Sequence, residues 1–285
     1  MILACQNIQK AFGTDVILKN ASFHIEDREK AAIVGINGAG KSTLLKIIMH
    51  QLDPDSGEVI LAKGKTIGYL AQHDAVSSEN TIHDELLSVK AELLAMEKRI
   101  RELELEMKSL SGEALENVLE TYNRLNSQFE RENGYAIQSE ITGVLKGLGF
   151  TEEDFTKKVS TLSGGQKTRV ALGKLLLSHP DLILLDEPTT YLDMAHQLEV
   201  LELLQTLNRD QGKTIALVIH ELNLAARFSD WMIALKSGAI RGAGTPAEVM
   251  TPALLREVFG LDALIAPDPW TGRPSLVSYR LAGEE

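Results

Sequence analysis

Gly35-Ile36-Asn37-Gly38-Ala39-Gly40-Lys41-Ser42 decides how this chain folds. It fits the spacing G-x-x-x-x-G-K-[ST] of a phosphate-binding loop. The apolar run Ala31-Ala32-Ile33-Val34 before it reads as a buried strand, and Thr43-Leu44-Leu45-Lys46-Ile47-Ile48 after it reads as a helix. Glycines here let backbone N–H groups close on phosphate oxygens, and the helix N-terminus adds a favourable dipole. In that setting the Lys41 ammonium reaches β- and γ-phosphates and the Ser42 hydroxyl serves Mg²⁺. Gly35, Asn37, Gly38, Gly40, Lys41, Ser42 and Thr43 are therefore the expected nucleotide-binding residues.

Upstream, residues 1–30 carry short apolar runs broken at Gly13-Thr14-Asp15 and Glu26-Asp27-Arg28, the pattern of a small antiparallel sheet. Phe12, on an expected loop, is a candidate platform for adenine, because base–aromatic stacking contributes ~1–3 kcal/mol. A core position is its alternative. Downstream, Asp53-Pro54-Asp55-Ser56-Gly57 marks a turn, and Glu58-Val59-Ile60-Leu61 and Thr66-Ile67-Gly68-Tyr69-Leu70 are strand-like. Gln72 then stands at a strand end that faces the nucleotide in a doubly wound sheet.

Residues 84–132 change character. Leu86, Leu93, Ile100 and Met107 recur every seven residues, as do Val89, Met96, Leu103 and Leu110, giving an a/d seam. Ser111-Gly112 interrupts it, and Leu115, Val118, Tyr122, Leu125 and Phe129 resume the 3-4 spacing. This predicts an antiparallel helical hairpin whose first arm is about 36 Å long. Its 12 acidic and 7 basic residues argue against contact with a nucleic-acid backbone. Residues 135–160 read as helical, with Gly143, Gly147 and Gly149 as breaks.

Leu162-Ser163-Gly164-Gly165-Gln166 follows, with Ser163 and Gln166 spaced as a capping box ahead of Val170-Ala171-Leu172. Its glycines open a helix whose N–H groups are free to bind an anion. Leu182-Ile183-Leu184-Leu185-Asp186-Glu187 is an apolar strand that ends in two carboxylates. A buried strand has no structural need for such a pair, whereas a Mg²⁺–phosphate site does. Asp186 is expected to hold Mg²⁺, and Glu187 to orient and deprotonate the attacking water. Asp193 lies on the next loop. Thr214-Ile215-Ala216-Leu217-Val218-Ile219 is another buried strand, ended by His220 within reach of a γ-phosphate. Trp231-Met232-Ile233-Ala234-Leu235 and Ala239-Ile240 read as a closing strand pair, and the tail around Pro267 to Pro274 as a surface loop.

The 285 residues carry a net charge of −11, with 44% hydrophobic and 24% charged residues, ordinary for a globular chain. No global basic field points to nucleic acid or anionic lipid, so sequence-specific DNA binding is not expected. Cys5 is the only cysteine, which excludes an internal disulfide and fits a reducing compartment. No apolar run approaches the ~18 residues of a membrane span. The first residues lack a signal peptide's basic and apolar regions. The expectation is a cytoplasmic chain without direct membrane insertion. The remaining histidines, among them His73 and His196, lack metal-ligand spacing.

Taken in order, the phosphate loop, Gln72, Leu162-Ser163-Gly164-Gly165-Gln166, Asp186-Glu187, Asp193 and His220 resemble the motifs of an ATP-binding cassette (ABC) ATPase domain. The resemblance implies an α/β fold: a P-loop NTPase cassette with a RecA-like core, an antiparallel β subdomain and an α-helical subdomain. Core and β subdomain would take residues 1–72 and 161–285. The helical subdomain would take 73–160, with its hairpin at about 84–132. It also implies ATP and Mg²⁺ as ligands, Glu187, His220 and Gln72 as catalytic residues, and Ser42, Gln72 and Asp186 around the metal. Two copies would pack head to tail, so that Ser163, Gly164, Gly165 and Gln166 act in trans, with Asp193 on the D-loop between them.

Residues 1 to about 185 resemble the ABC-F group of translation-associated ATPases. The carriers are Met1 to Phe12, the heptad hairpin, and Gly143-Val144-Leu145-Lys146-Gly147-Leu148-Gly149-Phe150 running to Leu162-Ser163-Gly164-Gly165-Gln166-Lys167-Thr168-Arg169-Val170-Ala171-Leu172. From about Thr189 the chain resembles ATPase subunits of iron–siderophore importers, through Thr189-Thr190-Tyr191-Leu192-Asp193, Val218-Ile219-His220-Glu221-Leu222-Asn223-Leu224 and Gly244-Thr245-Pro246-Ala247-Glu248-Val249-Met250. An ABC-F protein usually has Asn-His where Thr190-Tyr191 stand, then a linker and a second cassette. The expectation is a chimera joined beside Asp186-Glu187-Pro188-Thr189. Ribosome association through residues 84–132 stands first. Docking on a permease at the inner membrane stands second, and an ATP-binding scaffold with poor turnover third.

Overall fold

The computed structural model describes residues 1–71, 78–190 and 192–283. The chain opens with β1 (Leu3–Phe12), β2 (Asp15–Ile25) and β3 (Lys30–Gly35), then α1 (Lys41–Ile48), β4 (Ser56–Leu61) and β5 (Ile67–Leu70). Helices α2 (Ile82–Leu87), α3 (Ala91–Met107), α4 (Glu113–Arg131), α5 (Ile137–Gly147) and α6 (Gly164–Leu176) follow. The chain returns through β6 (Leu182–Asp186), α7 (Met194–Gln211), β7 (Thr214–Val218), α8 (Leu222–Phe228), β8 (Trp231–Lys236) and β9 (Ala239–Gly244). It closes with α9 (Pro246–Val249), α10 (Pro252–Phe259), β10 (Leu261–Pro267) and β11 (Pro274–Leu281).

Two compact units result, Met1–Ala75 with His179–Glu285, and Val76–Ser178. In the first, a six-stranded sheet runs β5-β6-β7-β3-β8-β9, parallel except for β9. Every residue of β3, β6 and β7 is buried, as near-continuous Ala, Ile, Leu and Val runs require of strands covered on both faces. Because these three strands are parallel neighbours, their C-terminal ends share one edge. That edge carries the phosphate loop, Asp186-Glu187 and His220. A three-stranded antiparallel sheet, β2-β1-β4, completes the β layer. Ile8, Leu18 and Ile25 from it join Leu44, Ile47 and Val218 in one apolar core.

The second unit is helical. Leu93, Ile100 and Leu103 of α3 and Phe129 of α4 are buried along the hairpin seam. Phe129 meets Tyr135 edge to face, with ring centroids 4.9 Å apart. The hairpin is shorter than the heptads predict. A 3₁₀ turn at Ser88–Lys90 separates α2 from α3, so the first arm is 17 residues, about 25 Å. Leu86 belongs instead to α2, which packs on α6 beside Gly173. That packing, with the Glu85–Lys174 ion pair, groups α6 with the helical unit, whereas the sequence placed residues 161–178 with the core.

The tail is the other difference. Residues 261–281 form a two-stranded antiparallel ribbon rather than only a loop. The Asp268 carboxylate closes its turn, accepting from Trp270 N (3.1 Å), Thr271 N (2.8 Å) and Thr271 Oγ1 (2.8 Å). Those bonds hold its pKa below the usual carboxylate range. Among the described residues no helix is long and apolar enough to cross a membrane.

Candidate nucleotide site

A cleft of about 780 Å³ opens at the sheet edge, lined by Asn37, Gly38, Gly40, Lys41, Ser42 and Thr43, with Ile17, Glu187, Thr190 and His220. The loop between β3 and α1 is glycine-dependent for two separate reasons. Gly40, the residue before α1, has φ +102°, and a Cβ there would stand 3.0 Å from Ile17 O and 2.9 Å from a Leu18 methyl. At Gly35 a Cβ would come within 2.2 Å of Leu235 O on β8. A side chain at either place would fill the cradle or push the sheet apart. No side chain caps α1, so its first N–H groups face the cleft without a side-chain acceptor.

Lys41 is buried, and its Nζ donates to Gly35 O (2.8 Å) and Ile36 O (3.1 Å). Burial lowers its pKa, and the charges of Glu187 and Asp186 oppose that shift. Asp186 ends β6 at 6% exposure. Burial pushes its carboxyl up, the Ser42 bond lowers it and the Glu187 charge raises it. Ser42 Oγ lies 3.5 Å from Asp186 Oδ1. One hydroxyl and one carboxylate beside an open phosphate cradle suit Mg²⁺, which keeps most of its octahedron for water and phosphate oxygens. No cluster of three or more His, Cys, Asp or Glu among the described residues offers a closed cage instead.

Glu187 takes φ +54°, a left-handed conformation that costs a non-glycine residue about 1–3 kcal/mol and concentrates at functional sites. The turn points its side chain into the cleft, with both oxygens engaged. Oε1 bonds His220 Nε2, and Oε2 accepts from Thr190 Oγ1 at 3.2 Å.

The structure brings Asn37, Gly38, Gly40, Lys41, Ser42, Thr43, Asp186, Glu187 and His220 together; Gly35 is buried at the base of the loop. Gln72 lies outside the described residues. Phe12 is 53% exposed at the end of β1, with Lys10 Nζ 5.7 Å from its ring, and is not among the residues lining the cleft. Asp193 caps α7, accepting from His196 N at 3.0 Å. Ser163 and Gln166 form the expected capping box at α6, inside the helical unit: Ser163 N donates to Gln166 Oε1 (3.1 Å) and Gln166 N to Ser163 Oγ (3.3 Å).

Two cleft residues escaped the sequence. Thr190 is legible only through its i+3 spacing from Glu187, which a turn between Thr190 N and Glu187 O exploits. Ile17 carries no signal, because β2 reaches the cleft only by crossing Gly40 in space.

A strand–loop–helix phosphate cradle beside two strand-end carboxylates, on a mainly parallel sheet, defines a nucleoside-triphosphate-binding fold. The family model "ABC transporter" matches residues 18–190, and the chain belongs to that family. It is an ABC ATPase, an ATP hydrolase that takes ATP with Mg²⁺. It is 36% identical to the iron(3+)-hydroxamate import ATP-binding protein FhuC of Bacillus subtilis, over 99% of this chain and 97% of that protein. It is 46% identical to the putative ATP-binding protein YdiF of the same organism over 194 residues, 68% of this chain but only 30% of YdiF. Among solved structures it matches the dimeric ABC transporter cassette MJ0796 with a TM-score of 0.61, 26% identity and coverage of 86% and 98%.

Proposed function

We propose that this chain is the ATP-hydrolysing subunit of an importer for an iron(III) chelate, working as a head-to-tail dimer against a membrane permease. The similarity to FhuC carries this reading, because it runs end to end in both chains. Such a match makes a join near residue 189 unnecessary. The dimer of the similar cassette MJ0796 supports pairing of two copies, in which the α6 N-terminus of each would meet ATP held by the other.

In the proposed reaction the amides around Gly38 and Gly40 and the ammonium of Lys41 bind the triphosphate. Ser42 and Asp186 would hold Mg²⁺, which would neutralise charge on the transferring phosphoryl group. Glu187 accepts the proton of the attacking water. Thr190 and His220 keep its two oxygens in place, and His220 would hydrogen-bond the γ-phosphate.

The test is capture with the Glu187→Gln variant in Mg-ATP. Recovery of a membrane permease, and stimulation of parental ATPase by that permease, supports the importer reading. Recovery of ribosomes, lost when residues 91–131 are removed, supports a second reading, an ABC-F-like ATPase that engages the ribosome through the α3–α4 hairpin. The α3–α4 hairpin itself favours that alternative. Phosphate release near background from well-folded chain would favour the scaffold reading.

A further inference from the structure

Helix α8 starts two residues after His220 and cannot hold itself in place. It has seven residues, fewer than an isolated helix needs, and its N-cap makes no side-chain bond. The C-terminal ribbon grips it at both ends. In its first turn Asn223 acts as an extra strand residue on β11: Leu276 N donates to Asn223 Oδ1 (2.7 Å) and Asn223 Nδ2 to Leu276 O (3.1 Å). At its last turn Arg273 Nη1 donates to Ala226 O (3.0 Å) and to Ser229 O. These carbonyls belong to the C-terminal end that a helix leaves without intrahelical donors, where a cation is also favoured by the dipole.

Arg273 is itself fixed. It sits on the turn closed by Asp268, with Asp268 N donating to Arg273 O at 2.7 Å, and its Nη2 lies 3.4 Å from Asp230 Oδ1. Asp230 Oδ2 in turn accepts from Lys30 Nζ (2.8 Å) at the start of β3. The ribbon therefore ties α8 to the strand that bears the phosphate loop, and the residue bonded to Glu187 leads directly into α8.

We propose that the β10–β11 ribbon is a positioning clamp: through Asn223 and Arg273 it sets α8, and through α8 it holds His220 against Glu187. Asn223 and Arg273 are positioning residues, since neither lines the cleft. The inference rests on the hydrolytic roles proposed above for His220 and Glu187. The clamp meets β3 only at Lys30, its first residue, whereas the phosphate cradle follows its last residue, Gly35, so the clamp governs turnover and leaves ATP binding alone. Misplacing a catalytic group by about 1 Å costs on the order of 10²-fold, and a partial release costs less.

The test combines steady-state phosphate release with a double-mutant cycle on the full chain. Asn223→Ala and Arg273→Ala are each expected to lower kcat about tenfold or more, with KM for ATP within about twofold of the parent. Arg273→Lys restores part of the loss. In a His220→Ala background Asn223→Ala adds little. A readout independent of turnover is the ¹⁵N shift of His220 Nε2, identified by its absence in His220→Ala. It moves toward the unbonded imidazole value in Asn223→Ala. Parental kcat and an unmoved His220 signal in both clamp variants would overturn the proposal. So would an Asn223→Ala loss that persists undiminished in the His220→Ala background, or a rise in KM that accounts for it. If His220→Ala itself hydrolyses ATP at the parental rate, the role of His220 fails, whereas the shift of its ring signal still reports whether the clamp exists.

Discussion

Ser42 and Asp186 face each other across the floor of the cleft, Oγ to Oδ1 at 3.5 Å, although 144 positions separate them in the chain. One opens α1 and the other ends β6, so the contact measures how the two parts of the sheet edge meet. The same position buries the Asp186 carboxyl, and burial outweighs the Ser42 bond. Burial raises its carboxyl pKa above the ordinary aspartate value, so between the two values the folded state keeps a proton that the unfolded chain has released. Stability therefore falls as pH rises through the folded-state pKa. Asp186→Asn is expected to raise the melting temperature in EDTA by about 2–4 °C, corresponding to ~1 kcal/mol. The same variant should lose more than about 10²-fold of Mg²⁺-dependent phosphate release. Differential scanning fluorimetry and the phosphate assay read the opposite signs.

Lys41 is held over the loop by two backbone carbonyls, Gly35 O and Ile36 O, ready for a phosphate oxygen. A charge-assisted hydrogen bond contributes ~1.5–3 kcal/mol. Lys41→Ala should therefore weaken ATP binding about 10- to 100-fold by titration calorimetry, with the melting temperature near parental.

Gly40→Ala tests the cradle. The backbone at φ +102° and the nearby Leu18 methyl and Ile17 carbonyl both penalise a Cβ. Urea unfolding should show a loss of about 1–3 kcal/mol, and ATP binding should fall with it.

The helical unit should respond separately. Phe129 is 2% exposed in the hairpin seam, and Phe129→Ala in such a position costs ~3–5 kcal/mol. Limited proteolysis should then cut within residues 91–131 faster than in the parent, while the affinity of the loop for ATP stays the same.

Much of the site was readable because its chemistry is concentrated in short stretches. Phosphate cradling needs glycines at fixed spacing, and paired acids on an apolar strand have few other uses; the capping box at Ser163 and Gln166 is equally local. What the sequence missed was set by contacts distant in the chain. The seam of residues 84–132 continues in register through Leu86 and Val89, yet α2 turns away because Leu86 finds a better-packed place beside Gly173. The ribbon at 261–281 hides behind Pro267, Pro269 and Pro274, and its partner α8 is visible only in space. Ile17 enters the cleft through β2, which no local pattern announces.

The central claim is that two copies close on ATP, the phosphate loop of one against the α6 N-terminus of the other. The most direct measurement is the mass of Glu187→Gln in solution, by light scattering, with and without Mg-ATP. The account predicts the 31.3 kDa monomer without nucleotide, about twice that mass with Mg-ATP, and loss of the dimer when Gly164 is replaced by a bulky residue. Glu187→Gln that binds Mg-ATP tightly and stays at the monomer mass at every concentration tried would contradict it.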